Sequence, residues 1–210
     1  MATIILFHSA LGLDQGMHRM ADVLKDAGHT VHLPDFYDGN VFTETADGLA
    51  YRDDVTFPEL AKRASAAVDE IVADSPAGQG FIFGGFSLGA AMAQSFGKRH
   101  PQAAGALLFH AGGTPKPTSW QASATLQIHH TVGDPFYDEG QPELLARCAA
   151  QAGAHASHFL YPGKAHLFAD PTKDEYDEDS PHSCGNESSH SPTQLTDRQA
   201  LLNVGLPTPA

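Results

Sequence analysis

The chain has 210 residues, 12 of them basic and 25 acidic, for a formal net charge of −13, and 41% of its residues are hydrophobic. That length suits one domain with one sizeable core, and an acidic balance without a Lys/Arg cluster excludes nucleic acid and anionic membrane surfaces as partners. Two cysteines, Cys148 and Cys184, exclude a disulfide framework. The opening Met1 to Phe7 has no basic run and its apolar stretch breaks at His8, so neither a leader peptide nor a membrane span is expected there, and a cytoplasmic protein is the expectation.

In chain order, short β-rich apolar runs alternate with helical patterns, which predicts an α/β fold: a doubly wound, mostly parallel sheet of about six strands flanked by helices, with no lid domain. The strands are read at Thr3 to His8, His29 to Leu33, Gly80 to Gly84, Gly105 to Phe109, Thr125 to Val132 and Ala156 to Tyr161. Between the first two, Met17, Met20, Ala21 and Leu24 recur at helical spacing and Gly28 follows as a stop. A second helix is read from Pro58 to Ala73, with Leu60, Ala64, Ala67, Val68 and Ile71 on one face. Two more are read at Leu88 to His100, with Leu88, Ala91, Met92 and Ser95 toward the sheet, and at Pro142 to Ala152. The catalytic domain is thus placed at 1–170. The stretch 171–210 reads as a polar acidic tail, because from Asp170 onward eight acids face only Lys173 and Arg198; a short helix is expected near 197–204 behind a Thr196–Gln199 capping box.

The informative motif is Phe81-Ile82-Phe83-Gly84-Gly85-Phe86-Ser87-Leu88-Gly89, a strand that turns into a helix through Gly-x-Ser-x-Gly. A serine at such a turn is held with its hydroxyl exposed above the sheet, and the turn requires small residues at Gly85 and Gly89. The amide of Leu88, at the helix start, is placed to donate to an oxyanion formed when Ser87 attacks a carbonyl. Serine needs a base, and the base needs an orienting acid, in the chain order Ser, Asp, His. Asp134, in Gly133-Asp134-Pro135 after the fifth strand, is the candidate acid, and His166, on a glycine-bearing loop after the sixth, is the candidate base. Ala10, in the loop after the first strand, is the candidate second oxyanion donor. Leu11, Phe36, Tyr37, Phe57, Phe136 and Phe168 are candidates to line the pocket. His8, His129 and His130 read as structural. His182, Cys184 and His190 match no standard zinc spacing, so no metal and no other cofactor is expected.

These residues resemble one family. The segment Ile5 to Leu13, the Leu33-Pro34-Asp35-Phe36-Tyr37-Asp38-Gly39 stretch, the Gly85 to Gly89 elbow, Gly133-Asp134-Pro135 and Tyr161-Pro162-Gly163-x-x-His166-x-Phe168-Ala169-Asp170-Pro171 are similar to the dienelactone hydrolase family of α/β-hydrolases, over about residues 3 to 178. The resemblance implies cofactor-free hydrolysis of an ester or lactone by a nucleophile, a His and an Asp. The enzymes for which the family is named carry Cys where Ser87 stands, Glu where Ser9 stands and a substrate-holding Arg where Asp170 stands. A carboxylate-bearing lactone would therefore meet repulsion at Asp170, and Arg52, read as a solvated loop residue, is a poor substitute. Family members also close with an amphipathic helix that the sequence after Glu178 cannot form, which predicts exposed apolar sheet at roughly 25 cal/mol of lost burial per Å².

The reading is therefore a serine hydrolase acting through an acyl-enzyme on a small soluble ester or lactone, as a monomer or homodimer. Asp134 comes 47 positions after Ser87, too few for a lid and so suited to an open pocket. Two other readings use the same sequence: a non-catalytic ligand-binding protein on a hydrolase fold, and acyl transfer or thioester hydrolysis by the same triad. Nucleotide-binding glycine motifs are absent.

Overall fold

A computed structural model describes residues 1–110, 120–122, 124–136, 140–170 and 172. The acidic tail, its expected short helix and the His182, Cys184 and His190 group lie outside them, as does any closing helix. Six strands form one sheet: β1 (Thr3–Phe7), β2 (Thr30–His32), β3 (Phe81–Phe86), β4 (Ala103–Phe109), β5 (Thr125–Thr131) and β6 (His155–Tyr161). Their order is β2-β1-β3-β4-β5-β6 and every pairing is parallel. The order reverses direction at β1 and β3, so the loops after these two strands diverge to opposite sides and open a crevice at the sheet's carboxyl edge.

Alternation along each strand divides the core in two. Ile5, Phe7, Phe81, Phe83, Leu108, Leu126 and Ile128 pack on one face against α3 (Phe57–Ala73), α4 (Leu88–Arg99) and α5 (Gln141–Gln151). Ile4, Leu6, Ile82, Leu107 and Phe109 pack on the other against Met17, Met20 and Leu24 of α1 (Gln15–Asp26). Helix α1 starts on Asp14, whose carboxylate accepts from the Met17 amide at 3.0 Å. Among the described residues no helix is long and apolar enough to cross a membrane.

Three features differ from the sequence reading. A helix, α2 (Thr45–Val55), stands where a loop was expected, so Arg52 is helical and paired with Asp53 at 2.7 Å. Its sequence carries no apolar stripe to mark a helix; its one buried residue is Gly48, where a Cβ would collide with the Ala10 carbonyl oxygen. Phe57 likewise begins α3 and is not a loop residue. In α4 the buried face runs through Gly89, Ala93 and Gly97, while Ala91 and Ser95 are only half-buried. Small residues define this face because the helix sits close to the backbone: a Cβ on Gly89 would meet the Phe7 and His8 carbonyl oxygens, and Gly97 packs on Ala106 and Trp120.

Candidate active site

The site lies where β1, β3, β4, β5 and β6 end. At the β3–α4 turn Ser87 has φ 53° and ψ −109°, a left-handed conformation that a β-carbon makes costly and that persists only where the surroundings enforce it. The enforcement is visible. A Cβ at Gly85 would strike the Gly89 carbonyl, and the Ser87 amide donates to Phe109 O at the end of β4 at 2.9 Å. The side chain therefore stands off the sheet at the start of α4.

His166 Nε2 lies 2.9 Å from Ser87 Oγ, and its Nδ1 lies 2.8 Å from both Asp134 oxygens. The Asp134 carboxylate is buried and also accepts the Phe136 amide at 2.8 Å. Two loops 32 residues apart are locked together to bring this about. Val132 N donates to Tyr161 O at 2.9 Å, Gly133 N to Gly163 O at 2.9 Å, and Thr131 Oγ1 to Ala165 O at 3.0 Å. The sequence candidates Ser87, His166 and Asp134 thus form one continuous hydrogen-bonded run.

Leu88 follows the serine in sequence, and Ala10 lies in the loop after β1. Leu88 is the first residue of α4, where an amide has no partner within its own helix. No hydrogen bond among the described residues takes the Ala10 amide. Its loop is held by its own contacts: Leu11 N donates to Ser9 Oγ at 3.1 Å, Gly12 N to Ser9 O at 3.2 Å, and Phe42 N to Leu11 O at 2.9 Å. Beneath it His8 is fully buried, with Nδ1 2.8 Å from Ser9 O and Nε2 3.5 Å from Asp35 Oδ1. The His8 contact, followed by the amides of Tyr37 and Gly39, holds the Asp35 carboxyl down to about 2.

The expected pocket residues divide. Phe136 is exposed and its ring lies 4.5 Å from His166, whereas Phe168 is buried and packs 5.0 Å from the ring of His110. Leu11, Phe36 and Tyr37 do not line an open pocket, because their side chains are buried. Phe36 stacks on His8 at 3.7 Å, and Tyr37 sits edge-on to His8, Phe36 and Tyr51 with its hydroxyl donating to Gly48 O at 3.3 Å. Burial pushes the Tyr37 phenol up to about 12. These aromatics are a plinth under the Ala10 loop, tying it to α2. Asp170 is also buried. Its carboxylate accepts the Thr172 amide at 2.9 Å and presses on Gly16 in the first turn of α1, where the helix end favours a negative charge.

One residue of the site was missed by sequence reasoning. His110 follows β4 and its Nδ1 lies 3.3 Å from Asp134 Oδ2. Its place at the carboxyl end of a central strand was the available signal. With Asp134 and His166 it makes a group whose ligating atoms lie within 4.8 Å of one another. The Asp134 and His166 atoms of that group are already engaged in the hydrogen bonds above.

A six-stranded parallel sheet, a strained serine at a strand-to-helix elbow, and a His and an Asp on the next loops along the same edge define an α/β-hydrolase. The chain belongs to the dienelactone hydrolase family, whose profile matches residues 1–187. Among solved structures it is similar to a dienelactone hydrolase-like promiscuous phosphotriesterase from metagenomic libraries, at 20% identity and TM-score 0.66 over 81% of this chain and 74% of that one. A Klebsiella pneumoniae protein described as a dienelactone hydrolase aligns at 16% identity and TM-score 0.67, covering 84% and 80%. A phospholipase/carboxylesterase from Dyadobacter fermentans aligns at 18% identity and TM-score 0.56, covering 80% and 83%. At these identities the structures speak to the fold. No curated protein sequence matches the chain.

Proposed function

We propose that this family member is a serine hydrolase that cleaves small, uncharged carboxylic esters or lactones through an acyl-enzyme. The observation that carries the reading is the run from Ser87 Oγ through both nitrogens of His166 to the buried Asp134. Ser87 Oγ bonds to the substrate carbonyl carbon while its proton passes to His166 Nε2, and the Ala10 and Leu88 amides take the charge that collects on the carbonyl oxygen. Collapse of this intermediate breaks the ester C–O bond, and His166 gives its proton to the leaving alcohol. Water, deprotonated by His166, then attacks the acyl carbon and releases the acid and Ser87. Asp134 holds the imidazole in the tautomer that accepts at Nε2 and stabilises the imidazolium. Base and oxyanion contributions of this kind are each worth about 10²- to 10⁴-fold in rate.

Uncharged substrates are favoured because the position where the family's named enzymes hold a carboxylate with Arg is here the buried Asp170. The test is initial rates on short p-nitrophenyl esters, simple lactones and one phosphotriester, for the wild type and Ser87→Ala. Ester or lactone turnover that collapses in the variant supports the reading. Turnover that survives in Ser87→Ala removes the serine nucleophile, and no turnover by folded wild type favours a ligand-binding protein.

A further inference from the structure

His110 occupies a costly position. Its φ is +65°, a region where a β-carbon is disfavoured, and its imidazole is completely buried. Nε2 has no hydrogen-bond partner among the described residues, and a buried polar atom left so is destabilising. Glycine would adopt this backbone freely, and an apolar side chain would fill the space between the rings of Phe86 and Phe168, which lie 6.3 and 5.0 Å away. The compensating contact is the Asp134 carboxylate.

We propose that His110 is a positioning residue for the triad: its Nδ1–H donates to Asp134 Oδ2 and fixes the rotation in which the carboxylate faces His166 Nδ1. The inference rests on the serine hydrolase reading above. A carboxylate turns easily about its last torsion. The Phe136 amide anchors Oδ1 from the chain's own turn, and His110 anchors Oδ2 from β4, so the two tethers come from different elements. The backbone holds His110 in turn, since its amide donates to His129 O at 2.7 Å and the preceding residue, Phe109, accepts from the Ser87 amide. One strand end therefore registers the nucleophile and the acid together.

The groups facing His110 are Asp134, His166 at 4.6 Å between ring centres, and His129 and His130 from β5. Burial first, and then positive charge on these histidines, pushes its pKa well below the ordinary value. A neutral imidazole has one N–H, and placing it on Nδ1 against a carboxylate is the lower-energy choice.

The test compares wild type, His110→Gly, His110→Leu and His110→Asn on the best ester of the panel. Glycine keeps the backbone conformation and loses the donor; asparagine tolerates the left-handed region and keeps an N–H. We expect kcat to fall about 10- to 100-fold in the Gly and Leu variants, with KM within about twofold. Asn should restore kcat to within about threefold of wild type. In the Gly variant the acid limb of kcat/KM should move to higher pH, because the carboxylate keeps more charge for the imidazolium. Folded Gly and Leu variants with wild-type kcat and an unmoved acid limb overturn the proposal. If those variants fail to fold, nitrogen NMR of ¹⁵N-histidine-labelled wild type decides: a neutral Nδ1-protonated His110 from about pH 5 to 8 is expected, and an Nε2-protonated one overturns it. Ser87→Ala separates the two claims. If it retains the rate, the serine reading fails; if it is inactive while the His110 variants are unaffected, only the positioning role fails.

Discussion

Lowering the pH from 7 to 5 should strip this fold of a large part of its stability, and about 4 kcal/mol of the loss should trace to two buried histidines on β5, with the buried His110 adding to it in the same direction. His129 is sandwiched between Phe109 and Phe159 at 5.0 and 4.7 Å, with Nδ1 2.9 Å from the Tyr161 hydroxyl. His130 is equally buried, its Nε2 3.2 Å from His158 Nε2. Burial chiefly, and then the neighbouring histidine charges, lowers them to about 3 and about 4. In the unfolded chain both return to about 6.5. The native pKa is the lower one, so the stabilising difference is intact above about 6.5 and is lost as pH falls toward 3 to 4, the unfolded chain taking up protons that the native state refuses. Between pH 7 and 5 each histidine therefore withdraws about 2 kcal/mol, about 4 together. That is a large share of the 5–15 kcal/mol typical of a domain, and corresponds to roughly 8–16 °C in Tm. Urea unfolding followed by circular dichroism at pH 7, 6 and 5 measures it. His129→Gln/His130→Gln should flatten the pH dependence by about the same 4 kcal/mol. A wild type whose unfolding free energy at pH 5 stays within about 1 kcal/mol of that at pH 7 would refute the argument.

Three further outcomes follow from the site's geometry. Asp134→Asn keeps the shape of the acid but favours the wrong His166 tautomer, so kcat should fall by about 10⁴ with the fold intact by circular dichroism. Gly48→Ala gains about 1 kcal/mol of helix propensity in α2 but drives a Cβ into the Ala10 carbonyl. The overlap with backbone should win, with a net loss of about 1–2 kcal/mol in urea unfolding and about a tenfold lower kcat as the Ala10 loop, proposed to supply an oxyanion donor, shifts. Tyr37→Phe removes a long hydrogen bond to Gly48 O, which should cost about 1 kcal/mol or less. Because Tyr37 is buried under the loop, KM for short esters should stay within about twofold; a larger change would return it to the pocket.

Much of this protein was written in local pattern. All six strands lie within two residues of the expected bounds; for β1, β3 and β4 the reason is that a strand buried on both faces leaves an apolar run between turn residues. The elbow was legible for a related reason: Gly85 and Gly89 are demanded by close backbone approaches within one turn, so the motif is local in sequence. Ser87, Asp134 and His166 could be picked out because each ends a strand or opens the loop after it, and parallel strands deliver their ends to one edge.

What tertiary structure alone decided concerns contacts whose partners are far apart in sequence. Helix α2 carries no apolar period: it sets a bare glycine against the Ala10 loop, and Leu49, Tyr51 and Val55 pack only partly buried against the core. Phe36 and Tyr37 follow a strand, as pocket residues do, and only the buried His8 ring against which they pack shows that they support the loop from beneath. His110 is one residue past β4 in sequence, but its role depends on the β4–β5 pairing that lays it beside Asp134, 24 residues on. Periodicity reports which face of an element is buried; it carries no information about which distant side chain shares that burial, and that pairing is what assembles the site.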